Sequence, residues 1–231
     1  KMVICPIDFE DILPLKHKNH HEIMELPESL KQAIHLFIIA KSVRIYRGDD
    51  KKHSSMMVNV SRFNSVQNSI HGLIYEYLED LKRDIRLNSK KTNPDGLSVS
   101  MARIKQDYAD EFIAKSDGEV YPEWSVLKAL LIQASGPIQV QIVNQSGGAL
   151  NYDLYAETGL DVIAIGGLAL SRGLTLEGLC ISYVLRNASA YDTLMQMGRW
   201  FGYRRNYEDL CRLYLPSKSR AFYQDVTLST A

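Results

Sequence analysis

Five short runs of apolar and β-branched residues alternate with helical stretches, and this alternation constrains the fold more than any other feature. The runs span residues 55–60, 138–144, 162–166, 179–185 and 212–215. Polar loops, Gly-rich turns and helical segments separate them, including a helix expected near residues 189–199. Strands that alternate with helices along a chain form mostly parallel sheets whose faces are covered by the helices. The sequence therefore predicts an α/β protein with a mostly parallel, doubly wound sheet.

Apolar residues at helical spacing predict helices in several other parts of the chain. Leu30, Ile34 and Ile38 recur at helical spacing after Pro27, which predicts one amphipathic helix. A second helix opens near residue 64 and keeps an apolar face to residue 85, and two more helices fill 101–134. Residues 1–26 show no clean period, so we expect a lead-in or linker there. We expect one domain over residues 27–231, with a helical insertion within 65–135.

Charge and cysteine usage exclude several classes of protein. The 27 basic and 27 acidic residues cancel, so any contact with nucleic acid must come from a local group of charges. Three cysteines without a CxxC pair indicate reduced, mostly buried thiols and a cytoplasmic protein. The chain has no apolar run of ~18 residues, so we expect no membrane span. Because Lys1 leads straight into apolar residues, we expect the chain to be a piece of a longer protein.

The stretch that carries most chemistry reads AIGGLALSRGLTLEGLCISY at residues 164–183. A strand that ends in a Gly-containing turn exposes backbone N–H groups at the carboxyl edge of a parallel sheet, where ligands bind in such folds. Ser171, Arg172, Gly173 and Thr175 follow that strand. Gly173 permits close approach of a phosphate, and the other three side chains supply hydrogen-bond donors. A plain strand-to-helix turn with a surface arginine is the alternative interpretation.

Here the chain resembles known families. Residues 164–183 resemble helicase motif V, and YDTLMQMGRWFGYR at 191–204 resembles motif VI. The strings RGLTLEGL and YDTLMQMGRWFGYR more closely resemble the Z1 domain, a family labelled as an endonuclease domain. That family occurs in bacterial restriction and phage-defence contexts beside gyrase-type ATPases. The similarity extends over nearly the whole chain, including HSSMMVNVSRF at residues 53–63, and is densest at 161–215.

The resemblance implies the second RecA-like lobe of a superfamily 2 helicase-type, DNA-dependent ATPase or translocase. In that role Arg199 points at ATP held by the first lobe, as an arginine finger does. Gln196 and Gly198 belong to the same motif, and Arg204 could share the task. The chain departs from the usual pattern, because Met195 stands where glutamine is common and Arg204 lies five residues after Arg199 rather than three. Either arginine could therefore contact phosphate.

A phosphate-binding GxxxxGK[ST] loop does not occur in the chain. ATP and Mg²⁺ would therefore be bound by an N-terminal RecA-like lobe of the same protein, and this fragment alone would be inactive. That lobe, DNA, a gyrase-type ATPase and restriction-system components are the partners that the resemblance implies. Asp110 and Glu111 look like a DExx box, but a polar segment precedes them, so we expect a solvated helix face instead.

The ends of the first two predicted strands supply further candidates. In helicase-like lobes the end of the first strand faces nucleic acid, so Ser61, Arg62 and Phe63 are candidates for phosphate contact or base stacking. Residues 144–148, after the second strand, could act likewise. A plain strand end is an equally good interpretation of both.

Two other readings of function stay open. An endonuclease needs metal-binding carboxylates, but Glu79 and Lys82 have the required spacing only on a helix, where they would form a solvated pair. His17, His20, His21 and Glu22 could bind a metal, although a polar lead-in is the simpler interpretation. We therefore assign no metal ligand, and keep a nuclease-associated domain and a non-catalytic interaction module as alternatives to the motor lobe.

Overall fold

Six parallel strands form one sheet in the described part of the chain. The computed structural model describes residues 2–91, 98–143, 150–167, 176–185 and 207–220. The strands are β1 Val3–Ile4, β2 Ser54–Asn59, β3 Gln139–Val143, β4 Asp161–Gly166, β5 Leu179–Val184 and β6 Arg212–Tyr214. Their order across the sheet is β1-β6-β5-β2-β4-β3, and every neighbouring pair is parallel. The α/β class with a mostly parallel sheet is therefore confirmed.

The central strand β2 shows why the apolar runs predicted strands so well. Met56 and Val58 belong to the larger hydrophobic cluster, whereas Met57 belongs to a second cluster on the opposite face. All six residues of β2 are buried, as expected for a parallel strand covered on both faces. The five predicted runs match β2 to β6 to within one residue at each end.

Four α-helices lie wholly within the described residues and form the helical layer beside the sheet. They are α1 Glu28–Tyr46, α2 Asn64–Asn88, α3 Val99–Tyr108, which continues into a π-helical turn at Ala109–Ile113, and α4 Trp124–Ser135. The prediction that α1 is amphipathic is wrong, because all its residues from Ala33 to Arg44 are buried. The helix lies between β5 on one side and α3 and α4 on the other, so it has almost no solvent-facing stripe.

The segment before Pro27 packs on the sheet. Its strand β1 adds an edge beside β6, with backbone bonds from Leu213 N to Met2 O and from Leu215 N to Ile4 O. Phe9, Leu13, Ile23 and Leu26 are buried in the larger hydrophobic cluster. The chain thus returns from the sheet edge to α1 along a path that is held by apolar contacts.

Two charged pairs correct the expectation of solvated helix faces. Glu111 is 8% exposed and accepts a bond from Arg212 Nε at 3.3 Å, so it is buried by its pairing with β6. Lys82 does pair with Glu79 at 2.8 Å, but it is also buried and donates to the carbonyl of Ile138. Both side chains tie a helix to a neighbouring segment instead of facing solvent.

The cysteines agree with the thiol prediction. Cys180 and Cys211 are buried, Cys5 is half-buried, and all three are free. In the part of the chain that the structure describes, no helix combines the length and apolar character needed to cross a membrane.

Candidate nucleic-acid interface

The chain changes direction across the sheet at β2. The next two strands along the chain, β3 and β4, lie on one side of β2, whereas β5 and β6 lie on the other. In open α/β sheets, ligands bind outside the carboxyl ends of the strands at such a switch point. Ser61 and Arg62 follow β2, separated from it by Val60. The fold thus brings these two predicted contact residues to the position where a ligand is expected.

Close contacts join the ends of the three central strands. Asn59 Nδ2 donates to the carbonyl of Gly167 at 3.4 Å, and Leu185 N donates to the carbonyl of Asn59 at 3.1 Å. Gln67, in the first turn of α2, donates through Nε2 to the carbonyl of Ser61 at 3.0 Å. A Cβ at Gly167 would lie 3.2 Å from that same carbonyl oxygen. The backbone around Ser61 is therefore held by both neighbouring strands and by α2.

The other predicted contact residues lie outside the described residues. They are Ser171, Arg172, Gly173, Thr175, Gln196, Gly198, Arg199 and Arg204. Along the chain, residues 168–175 follow Gly167 after β4, and residues 186–206 follow Leu185 after β5. Residues 144–149, which include the candidates after β3, also lie outside. The two longer segments therefore begin at the carboxyl edge, on either side of Ser61.

A pocket of about 470 Å³ opens beside Ser61. It is lined by Leu15, Lys16, His17, Lys18, Val60, Ser61, Arg62 and Phe63. Three side chains of this lining carry a permanent positive charge, one is a histidine, and none is a carboxylate. Three further pockets in the described part of the chain each include carboxylates, for example Asp107, Asp209 and Asp161. Among these four pockets, the pocket at the carboxyl edge is thus the one whose described lining carries positive charges and no carboxylate.

His17 connects the segment before Pro27 to the end of β2. Its Nδ1 lies 2.7 Å from the carbonyl of Pro14, and its Nε2 lies 2.8 Å from Ser61 Oγ. A carbonyl only accepts, so Nδ1 carries hydrogen, and in the neutral ring Nε2 accepts from the Ser61 hydroxyl. Ser61 Oγ also accepts from Phe63 N at 3.0 Å. These bonds fix both the imidazole and the hydroxyl, and Ser61 is only 1% exposed.

Arg62 and Phe63 form the outer wall of the pocket. The guanidinium of Arg62 lies over the Phe63 ring, 4.7 Å from its centroid, and the His17 ring meets Phe63 edge-on at 5.9 Å. Helix α2 begins at the next residue, so the positive end of its dipole adjoins the pocket. Arginine, lysine and a partly exposed aromatic ring are the groups that nucleic-acid backbones and bases contact in proteins.

A second histidine network lies elsewhere and is saturated. His35 Nδ1 lies 2.7 Å from Asp107 Oδ2, and its Nε2 lies 2.7 Å from Tyr77 OH. Burial raises the pKa of Tyr77 well above its usual range, so the phenol keeps its proton. Gln32 donates to the other oxygen of Asp107. Every member has a partner inside the network, which therefore joins α1, α2 and α3 as a structural element.

The metal-site candidates are not brought together. The rings of His17 and His21 lie 5.5 Å apart, but His21 Nε2 is bonded to the carbonyl of Ile12 and His17 is bonded as described above. Across the described residues, no group of three or more His, Cys, Asp or Glu side chains is arranged to hold a metal ion.

The sequence analysis missed Lys16 and Lys18. The only local signal for them is the short string KHK, which looks like any exposed basic turn. Their place in the pocket depends on the bond between His17 and Ser61, residues 44 positions apart. A pairing over that distance leaves no local pattern in the sequence.

Comparisons with known proteins give one family. A family model described as the Z1 domain matches residues 29–231. No curated protein and no solved structure matches the chain. The match begins after Lys16, His17 and Lys18, so part of the pocket lies outside the matched range.

Proposed function

The chain belongs to the Z1 domain family, and from this premise we propose that it is the second RecA-like lobe of a superfamily 2 helicase-type ATPase or translocase that acts on DNA. Family membership supports a DNA-processing or nuclease-associated role. The observation that carries the motor proposal is the carboxylate-free cationic pocket at Ser61 and Arg62, at the switch point of an all-parallel sheet. DNA would run along this carboxyl edge.

The nucleotide would be shared with a partner lobe outside these residues. In the proposal that lobe binds ATP and Mg²⁺, and Arg199 or Arg204 approaches the γ-phosphate when the two lobes close. Phosphoryl transfer requires positive charge against the developing charge on the γ-phosphate, and an arginine finger supplies it. Ser171, Arg172, Gly173 and Thr175 would contact phosphates of nucleotide or DNA, and so would Gln196 and Gly198, which belong to the same motif as Arg199.

The order of the segments supports this arrangement. Residues 168–175 and 186–206 follow the two strands that flank β2, so both begin at the edge that carries Ser61. One edge can then contact DNA near β2 and nucleotide near β5, so that closing the lobes on ATP would shift the DNA contact. Such a lobe would act in the cytoplasm with a gyrase-type ATPase and restriction or phage-defence components as partners.

ATP hydrolysis by the full-length protein, measured with and without DNA, tests the proposal. We expect DNA to stimulate turnover, and Arg199→Ala to lower the stimulated rate about 10³-fold or more, as loss of an arginine finger does. Arg204→Ala, measured beside it, identifies which arginine acts. The control is Arg83→Ala, because Arg83 lies exposed on α2 in a surface pair with Asp80.

Other outcomes would point to the alternative roles. If turnover is unchanged in both Arg199→Ala and Arg204→Ala, neither arginine acts as an arginine finger. Absence of ATP turnover together with metal-dependent DNA cleavage would establish the nuclease-associated role. Absence of both activities would leave a non-catalytic interaction module.

A further inference from the structure

We propose that the segment before the family domain completes a binding site for nucleic-acid backbone phosphates, in which Lys16 and Lys18 act together with Arg62. This inference rests on the proposed DNA-binding function and deepens it. It adds to the contact surface two residues that lie outside the range matched by the family model. The site is the pocket of about 470 Å³ beside Ser61.

The charges of this pocket point to an anion. Lys16, Lys18 and Arg62 are exposed, and within the described residues no carboxylate forms an ion pair with any of them. Three like charges around one pocket repel one another, and a bound polyanion relieves that repulsion. The chain has no net charge, so this local excess is compensated elsewhere in the protein. Phosphates spaced along a backbone match several separate cations better than one small anion does.

The segment is anchored in a way that holds the lysines at the pocket. His17 lies between them and bonds to Ser61 Oγ at 2.8 Å, while its other nitrogen bonds to the carbonyl of Pro14. Ser65, in the first turn of α2, donates its hydroxyl to the carbonyl of Asn19. Bonds on both sides of Lys18 thus tie the segment to β2 and to α2. Less side-chain and backbone freedom is then lost when phosphate binds.

Salt dependence of binding tests the inference. A labelled oligothymidylate is titrated with full-length protein by fluorescence anisotropy between about 50 and 200 mM salt, where each phosphate contact to a single strand contributes a slope of about 0.7 in log K against log salt. We expect Lys16→Ala/Lys18→Ala to reduce that slope by about 1.4 and to weaken binding on the order of tenfold. Lys16→Arg/Lys18→Arg keeps both charges and should retain the slope.

The matched control is Lys51→Ala/Lys52→Ala. These two lysines are also close in sequence and exposed, but they precede β2 and lie at the opposite edge of the sheet. We expect them to leave the slope unchanged. His17→Ala keeps both lysines and removes the bond that ties them to Ser61, and it should also weaken binding. Unchanged affinity in His17→Ala would show that the lysines act as a loose basic tail, which overturns the built site.

Two further outcomes separate this inference from the proposed function. If the unaltered protein binds oligonucleotide and Lys16→Ala/Lys18→Ala binds with the same slope, the inference fails while the motor lobe stands. If the unaltered protein binds no oligonucleotide, the proposed DNA-binding function is wrong, and so is the proposal that the pocket binds backbone phosphates. Inorganic phosphate is then titrated into the protein while the NMR signals of the His17 ring are followed. A shift of those signals would show that the pocket binds a small phosphate ligand instead of a nucleic-acid backbone.

Discussion

Lys41 and Asp161 form an ion pair that is almost completely shielded from solvent. The ammonium of Lys41 lies 2.8 Å from Asp161 Oδ1, and the two side chains are 2% and 4% exposed. Lys41 also donates to the carbonyls of Asp50 and Lys52. The pair joins α1 to the first residue of β4 at the amino edge of the sheet, opposite the proposed interface. It therefore fixes the helix layer against the strand that ends at Gly166.

We predict that Lys41→Met destabilises the protein by about 3–5 kcal/mol, because it leaves the carboxylate of Asp161 buried without its cation. Urea unfolding measures the loss. The double variant Lys41→Met/Asp161→Leu removes both charges and should recover much of the stability. Arg83→Met, in the exposed pair with Asp80, should cost less than about 1 kcal/mol. An equal loss of unfolding free energy in Lys41→Met and Arg83→Met would show that burial does not determine how much the Lys41–Asp161 pair stabilises the protein.

Gly178 supplies a second stability prediction. Its φ is +64°, and a Cβ there would overlap the carbonyl oxygen of His53 at the entry to β2. We expect Gly178→Ala to cost about 3 kcal/mol, because left-handed strain and a backbone clash add together. Gly48 also has a positive φ, +88°, but has no atom within 4 Å of a Cβ. Gly48→Ala should therefore cost only about 1 kcal/mol, and similar losses at both positions would contradict the clash.

The strands that could be predicted from sequence are those buried on both faces. Met56, Met57 and Val58 form an apolar run because clusters cover β2 from both sides. The two-residue strand β1 was not predicted, because Val3 and Ile4 are too few to form a pattern and pair only through β6. The full burial of α1 depends on its contacts with α3 and α4. The sequence periodicity of α1 does not indicate those contacts.

The residues of the candidate site could be predicted from sequence only where they lie next to one recognisable strand. Ser61 and Arg62 follow a recognisable strand, and a parallel sheet places strand ends at one edge, so local sequence was sufficient. Lys16 and Lys18 reach the pocket through a bond between His17 and Ser61, and nothing near residue 17 in sequence indicates that partner. Contacts between distant segments depend on the whole fold.

The pair of Arg47 and Asp209 gives a pH-dependent prediction. Burial raises the pKa of Asp209, but hydrogen bonds from Arg47 and Tyr121 outweigh burial and hold that pKa below its ordinary value of 3.8. The pair therefore adds stability above pH 3.8 that is lost as the pH falls through the lower folded-state pKa. We expect Asp209→Asn to lower the free energy of unfolding by about 2 kcal/mol at neutral pH.

That difference between Asp209→Asn and the unaltered protein should shrink as the pH falls below 3.8. Urea titrations at a series of pH values measure it. Asp80→Asn is the control, because Asp80 is exposed in its pair with Arg83 and should show little difference at any pH. A difference for Asp209→Asn that stays constant into acid would mean that the carboxylate charge is not what stabilises the pair.

Gly167 links the fold to the proposed interface. A Cβ on this residue would lie 3.1 Å from Gln67 Nε2 and 3.2 Å from the carbonyl oxygen of Ser61, both tighter than ordinary contacts. Gln67 is 2% exposed and cannot swing away freely. We therefore expect Gly167→Ala to cost about 1–2 kcal/mol and to displace the backbone of Ser61, which weakens oligonucleotide binding as measured by anisotropy.

The comparison for Gly167→Ala is Gly72→Ala. Gly72 lies within α2 with no atom within 4 Å of a Cβ, so alanine there should stabilise the protein by about 0.5–1 kcal/mol. Binding should be unchanged, because the site is not moved. If Gly167→Ala binds oligonucleotide as the unaltered protein does, despite its lower stability, then the position of the Ser61 backbone does not control binding. Nucleic acid would in that case contact the edge through the outer cations alone.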